Sequence, residues 1–178
     1  MLKKIRRKQI SIRLFLILLL LTVNNINAGE LLLGLGGTGE GQTTQRISYI
    51  QPWDKRWFES SVGSLTGGWD IGYTKWQKGR YGNTAHSFSI SPVFIYQFNT
   101  NKGFQPFIEV GIGAAFFNRT RVGDSRLGSS FNFEDRIGVG IKSGRHRFGL
   151  RAMHYSNLGL KRPNQGVESY SLYYSYQF

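Results

Sequence analysis

Three residues near the end of the chain have the right types to hydrolyse an ester by acyl transfer: His154, Ser156 and Glu168. A serine hydroxyl is a weak nucleophile until a neighbouring base takes its proton, and an acid behind the base holds the imidazole in place. His154 and Ser156 are two positions apart, which on a β-strand puts both side chains on one face. The stretch from Asn157 to Val167 contains Gly159, Pro163, Asn164 and Gly166, residues that favour a chain reversal. A second strand opening at Glu168 then runs back beside the first and brings its carboxylate to the imidazole. An H-x-S pair alone carries little weight. A shared face and a following acid give it meaning.

The elements that must hold these residues are strands. Eight segments alternate in polarity and are separated by Gly, Asn and Asp: Glu30–Gly37, Thr43–Gln51, Trp57–Trp76, Ala85–Phe98, Phe104–Phe117, Phe131–Lys142, Arg147–Tyr155 and Glu168–Phe178. In Ala85–Phe98 the even positions carry Phe88, Ile90, Phe94, Tyr96 and Phe98, while Ser87, Ser89, Ser91 and Gln97 take odd ones. In Phe131–Lys142 the apolar set is odd, with Phe133, Ile137, Val139 and Ile141 opposed by Arg136, Gly138, Gly140 and Lys142. A face made of glycines and charges suits a narrow polar lumen, with the apolar face turned to lipid. The fold expected is all-β: an eight-stranded antiparallel transmembrane barrel, filled by side chains rather than open as a channel. A soluble lipocalin-like barrel would need the apolar face inside.

The N-terminus supports export. Lys3, Lys4, Arg6, Arg7, Lys8 and Arg13 precede an apolar run, Leu14–Leu21, and Ala28 follows. This is the order of a secretory signal, and the run is short of the roughly 20 apolar residues that span a bilayer. Residues 1–28 are read as a cleaved signal and 29–178 as one domain. Of 23 basic residues the signal holds six, which leaves 17 against 10 acidic ones, a net +7. Such a surface suits anionic partners, and export points to phosphorylated lipid rather than nucleic acid. The chain has no cysteine, which excludes disulfides and Cys-ligated metal.

Parity places the chemistry. Phe148, Leu150, Ala152, His154 and Ser156 share the lipid-facing set, and Glu168 shares it with Tyr170, Leu172, Tyr174 and Tyr176. Asp135 falls in the outward set of its own strand. Polar groups facing hydrocarbon are costly and mark function. With both chain ends in the periplasm, the turn after Ser156 is extracellular, and the group faces the outer leaflet of a Gram-negative outer membrane. An exposed active face also leaves room for a homodimer.

The run His154-Tyr-Ser156-Asn157-x-Gly159-Leu-Lys-x-Pro163-Asn164-x-Gly166-x-Glu168-Ser-Tyr-Ser resembles the signature of the outer-membrane lipid A 3-O-deacylases of the PagL type. SVGSLTGGWDIGYTKW, SFSISPVFIYQF, PFIEVGIGAAFF and FNFEDRIGVG resemble family segments too. The resemblance implies hydrolysis of the 3-hydroxyacyl ester at position 3 of lipid A in lipopolysaccharide, without metal or cofactor. It implies Ser156 as nucleophile, His154 as base and Glu168 as the orienting acid. Asn164 and the Gly159 N–H would stabilise the oxyanion, with Asn157 a weaker candidate. Asp135 would serve substrate placement or local structure. The turn between Lys142 and His146 is about one residue shorter than the family's, which affects only the turn alignment.

Other motifs carry less. Gly34-Leu-Gly36-Gly37-Thr38-Gly39 fits a dinucleotide fingerprint, but no βαβ unit follows it. His86 and His146 fall near turns. Trp53, Trp57, Trp69 and Trp76 suit interfacial aromatic belts. Arg119, Arg121 and Arg126 lie in an Asp-containing loop, either solvated or paired with lipid phosphates. The competing reading of the whole chain is a small non-enzymatic outer-membrane barrel with an adhesion or membrane-integrity role.

Overall fold

The computed structural model describes residues 29–178, so the expected signal segment lies outside the described residues. The strands are β1 (Glu30–Gly37), β2 (Thr43–Pro52), β3 (Gly63–Trp76), β4 (Ala85–Phe98), β5 (Gln105–Phe117), β6 (Arg121–Val122), β7 (Ser125–Arg126), β8 (Phe131–Ser143), β9 (His146–Ser156) and β10 (Val167–Gln177). Eight of them close into an antiparallel barrel in the order β1-β10-β9-β8-β5-β4-β3-β2, and β6 and β7 form a separate small hairpin. Closure by β1 on β10 leaves no unpaired edge, the condition for a sheet to cross hydrocarbon. At one end lie the chain terminus and the connections 53–62, 99–104 and 144–145. At the other lie the loops 38–42, 77–84, 118–130 and 157–166.

The alternation follows the expected sense. Leu33, Leu35, Phe88, Ile112, Phe116, Ile137, Leu150 and Leu172 are exposed on the outer wall. Arg46, Asp70, Glu109, Glu134, Arg136 and Arg151 are buried inside. An apolar exterior around a polar lumen is the arrangement of a membrane barrel.

The lumen is held by ion pairs. Arg46 meets Asp70 at 3.0 Å and Glu134 at 3.4 Å, Arg136 bonds both of the same acids, and Arg147 meets Glu30 at 3.0 Å. Arg151 holds Glu109 in a two-point contact, and Tyr173 Oη donates to the same carboxylate at 3.0 Å. Tyr155 Oη and Ser91 Oγ donate to Glu134 at 3.0 and 2.6 Å. Towards the loop end the lumen turns apolar, where Trp76, Phe117, Val122, Leu127, Met153, Tyr155 and Val167 pack together.

Two expectations need correction. The third strand begins at Gly63, not Trp57; Trp57 makes only an isolated bridge to Leu65. Ser60 Oγ takes the N–H groups of Val62 and Gly63, which turns the chain just before the strand. Trp76 is not part of an outer belt. It shares inward parity with Asp70 and Thr74, is buried, and donates its indole N–H to Ser87 Oγ. Trp53 packs against Trp57, Trp69 and Phe94 at centroid distances of 5.8, 6.2 and 5.1 Å, so the other three tryptophans form one cluster near the terminus end.

Removing one member of a buried pair strands the other charge. Glu109→Ala leaves Arg151 buried without its two-point partner, with Asp70, already shared by Arg46 and Arg136, 3.6 Å away as its remaining acid. It is expected to lower unfolding free energy by about 3–5 kcal/mol in a urea titration followed by tryptophan fluorescence. A change under about 1 kcal/mol would mean that the network carries little of the stability.

Candidate active site

β8, β9 and β10 place the site. Register sets Asp135 opposite His154 and His154 opposite Glu168, so the three stand in one row across three strands. His154 Nδ1 lies 3.0 Å from Glu168 Oε1, and both side chains are nearly half exposed, at 44 and 45 %. An ionised carboxylate only accepts, so Nδ1 carries the proton and Nε2 is left as the acceptor. Asp135 is half-buried beside this pair and bonds neither member.

Ser156 ends β9 two residues on, and here the alternation breaks: Tyr155, Ser156 and Asn157 are all buried, with Ser156 at 8 %. Its Oγ makes no hydrogen bond among the described residues. The fold therefore brings His154 and Glu168 together and leaves Ser156 two residues further along the strand, without a hydrogen bond to either. Strand geometry explains this, because residues two apart are about 6.6 Å apart along the strand and their side chains must lean together to touch. Rotation about the serine χ1 moves the hydroxyl between staggered positions. Such contacts are often long before substrate binds.

The loop 157–166 covers this end of β9. A Cβ built on Gly166 would sit 2.8 Å from His154 Cε1, so the Gly166 backbone lies close against the imidazole. Asn157 N–H donates to Asn164 Oδ1 at 3.1 Å, which fixes which end of the Asn164 amide faces away. Asn157 itself is wholly buried. Its Nδ2 donates to Leu127 O at 2.7 Å, Lys161 O at 2.8 Å and Ser129 Oγ at 3.1 Å. With its backbone and side-chain hydrogens engaged, Asn157 anchors the loop. Gly159 lies on the exposed part of the loop at φ +79°, with open space where a side chain would begin.

Below the dyad the outer wall is grooved. Ala152 is opposite Ile137 on one side and Tyr170 on the other. A methyl between two large exposed side chains leaves a trough. One depression of about 320 Å³ is lined by Asp135, His154, Glu168 and Tyr170, among others. A second of about 550 Å³ shares Ile137, Ala152 and Tyr170 and continues past Val139, Leu150 and Leu172. The trough is apolar and leads from the imidazole along the lipid-facing wall.

Gly166, Ala152 and the β6–β7 hairpin were not singled out as parts of the site in the sequence. The Gly123-Asp124 pair flanked by Val122 and Ser125 is a hairpin signal, and Gly123 takes the positive φ (58°) that such a turn needs.

A profile of the family described as lipid A 3-O-deacylase (PagL) matches residues 40–177, which include every residue of this site. The chain belongs to the lipid A 3-O-deacylase (PagL) family. Lipid A deacylase PagL of Pseudomonas aeruginosa is 51 % identical over 153 residues, spanning 85 % of this chain and 88 % of that one. Lipid A deacylase PagL of Bordetella bronchiseptica is 34 % identical over 145 residues, 80 % of each chain. The crystal structure of the outer membrane enzyme PagL superposes with a TM-score of 0.81 at 51 % identity, covering 83 % of this chain and 98 % of that one. The chain thus shares its barrel fold with that enzyme.

Gly166→Ala would push a methyl into the imidazole and tilt it away from Glu168. Activity should fall about 10²-fold, because a displacement near 1 Å at a reacting group has that effect. The barrel should still migrate as a folded species on an unheated gel. Full activity in this variant would contradict the contact.

Proposed function

We propose that this chain is an outer-membrane esterase that removes the 3-hydroxyacyl chain from position 3 of lipid A, using Ser156, His154 and Glu168 on its lipid-facing wall. The observation that carries the reading is the His154–Glu168 pair at 3.0 Å, open to the membrane and seated at the head of an apolar trough. A water-soluble esterase has no use for that placement. An enzyme whose substrate never leaves the leaflet requires it.

The loop end faces the cell exterior in this reading, level with the sugars of lipopolysaccharide. The acyl chain lies in the trough past Ala152, and the ester carbonyl rests beside Ser156. Nε2 of His154 takes the serine proton as Oγ attacks the carbonyl carbon. Glu168 accepts from Nδ1–H throughout and stabilises the imidazolium that forms. The tetrahedral oxyanion receives a hydrogen bond from the Asn164 amide and the Gly159 N–H. Loss of one such donor lowers a rate by about 10²–10³. The sugar O3 then departs with the imidazolium proton, leaving an acyl-serine. A water gives a proton to Nε2 and attacks the acyl carbon; the second tetrahedral intermediate then expels Ser156 Oγ, which takes that proton back from Nε2 as the 3-hydroxy fatty acid leaves. Asp135, across from His154, places the substrate, since a 3-hydroxyacyl group offers a hydroxyl donor to its carboxylate. Low dielectric beside the acyl chains strengthens these interactions.

Mass spectrometry of lipid A from cells with and without the protein tests the reading. Wild type should shift lipid A down by one 3-hydroxyacyl chain, and Ser156→Ala should not. An unchanged acyl pattern with wild type would leave a non-enzymatic barrel. His154→Ala should lower the rate by about 10⁴-fold or more, and Glu168→Ala by less, because the base survives loss of its orienting acid. Equal residual rates would contradict the assigned roles.

Filling the trough separates substrate seating from chemistry. Ala152→Phe should lower kcat/KM about tenfold or more through KM, leaving the dyad in place. Unaltered kinetics would move the acyl chain elsewhere on the wall.

A further inference from the structure

The loop that carries Asn164 and Gly159 is bound chiefly to another loop. Asn157 reaches across to Leu127 O and Ser129 Oγ. Gln165 and Arg126 exchange two hydrogen bonds: Gln165 N–H donates to Arg126 O at 2.9 Å, and Arg126 N–H donates to Gln165 Oε1 at 2.7 Å. Gly128, at φ +74°, has its missing Cβ position against Pro163 O and Lys161 O, so the two backbones are in direct contact. Arg126, Leu127, Gly128 and Ser129 form one continuous run beside 157–165.

That run is itself held from several sides. Val122 and Leu127 are fully buried in the apolar plug with Trp76, Phe117 and Tyr155. Glu40 accepts from Asp124 N–H at 2.9 Å and from Ser125 Oγ at 2.8 Å, which fastens the hairpin to loop 38–42. Asp124 Oδ1 accepts from Tyr81 N–H at 2.7 Å, which fastens it to loop 77–84. That bond, helped by Arg80 N–H and the nearby guanidinium groups, keeps the Asp124 carboxyl below the usual carboxylate range. Gly79 and Gly82 leave room for the Gly123–Asp124 turn to approach. The hairpin is therefore a fixed cap over the barrel mouth.

We propose that the β6–β7 cap sets the position of the oxyanion loop, and that Ser129 and Gln165 are positioning residues for the hydrolysis. This rests on the assignment of Asn164 and Gly159 as oxyanion donors. Neither Ser129 nor Gln165 touches the reacting atoms. Ser129 Oγ donates to Phe131 O at 2.6 Å and accepts from Asn157, so it joins the start of β8 to the anchor of the loop. A donor aimed at charge that develops only in the transition state raises kcat without tightening substrate binding. Loosening its support must therefore show in kcat.

Kinetics on purified lipopolysaccharide in detergent micelles test this, with wild type, Ser129→Ala, Gln165→Ala, Asn164→Ala and the two doubles carrying Asn164→Ala. Each support variant should lose about 3- to 10-fold in kcat, the worth of one hydrogen bond. KM should stay within about twofold. Ser129→Thr keeps both bonds and should restore kcat. In the Asn164→Ala background only the Gly159 N–H remains for the loop to place, so each support substitution should cost clearly less than it does in wild type. Unheated gel migration must match wild type in all of them. Equal fold-losses in both backgrounds, a loss confined to KM, or full kcat in Ser129→Ala and Gln165→Ala would each overturn the proposal. Ser156→Ala run alongside separates the two levels. If it still releases fatty acid, the esterase assignment falls and this proposal with it. If it is inactive while the support variants behave additively, only this proposal falls.

Discussion

The site depends on which side of the sheet each strand shows to lipid, and buried charge decides that. Arg46, Arg136, Arg147 and Arg151 face Glu30, Asp70, Glu109 and Glu134 across the lumen. A register slip of one residue would turn a strand's inward charges outward. An arginine at the bilayer midplane costs about 2–4 kcal/mol, and its stranded partner adds more. The pairing therefore locks the parity of β2, β3, β5, β8 and β9. Once Arg151 and Met153 point in, Ala152 and His154 must point out. The row of Asp135, His154 and Glu168 is the external consequence of an internal salt-bridge network.

That placement explains the contrasts within the row. His154 and Glu168 are mid-strand and paired across β9 and β10, so backbone register alone brings them together. Ser156 is the last residue of its strand, and its surroundings depend on the loop that follows. It stands opposite Phe133 on β8 and is buried, as are its neighbours Tyr155 and Asn157. A buried hydroxyl beside an exposed base suits a reaction in which the acyl chain arrives from the hydrocarbon and bulk water enters only for deacylation.

Period-2 patterning made much of this legible. The bounds of β1, β4 and β8 lie within a residue of those expected, because each strand alternates regularly and ends in a turn signal. The His154–Glu168 pairing was legible because one reversal joins β9 to β10. Features set by non-local contacts were not. Trp76 reads as a belt residue in isolation and is buried only because Phe117 and Tyr155 close around it. Asn157 reads as a spare amide and is consumed by Leu127 and Ser129 from a loop about 30 residues earlier. The β6–β7 hairpin has strands of two residues, too short for any alternation to register.

The most direct test of the central claim is covalent trapping of the nucleophile from within the membrane. A long-chain alkyl fluorophosphonate, added to outer membranes that contain the protein and followed by peptide mass mapping, should form one adduct, on Ser156. His154→Ala should abolish it. Labelling of another serine, or loss of deacylation with Ser156 unmodified, would contradict a lipid-facing serine esterase.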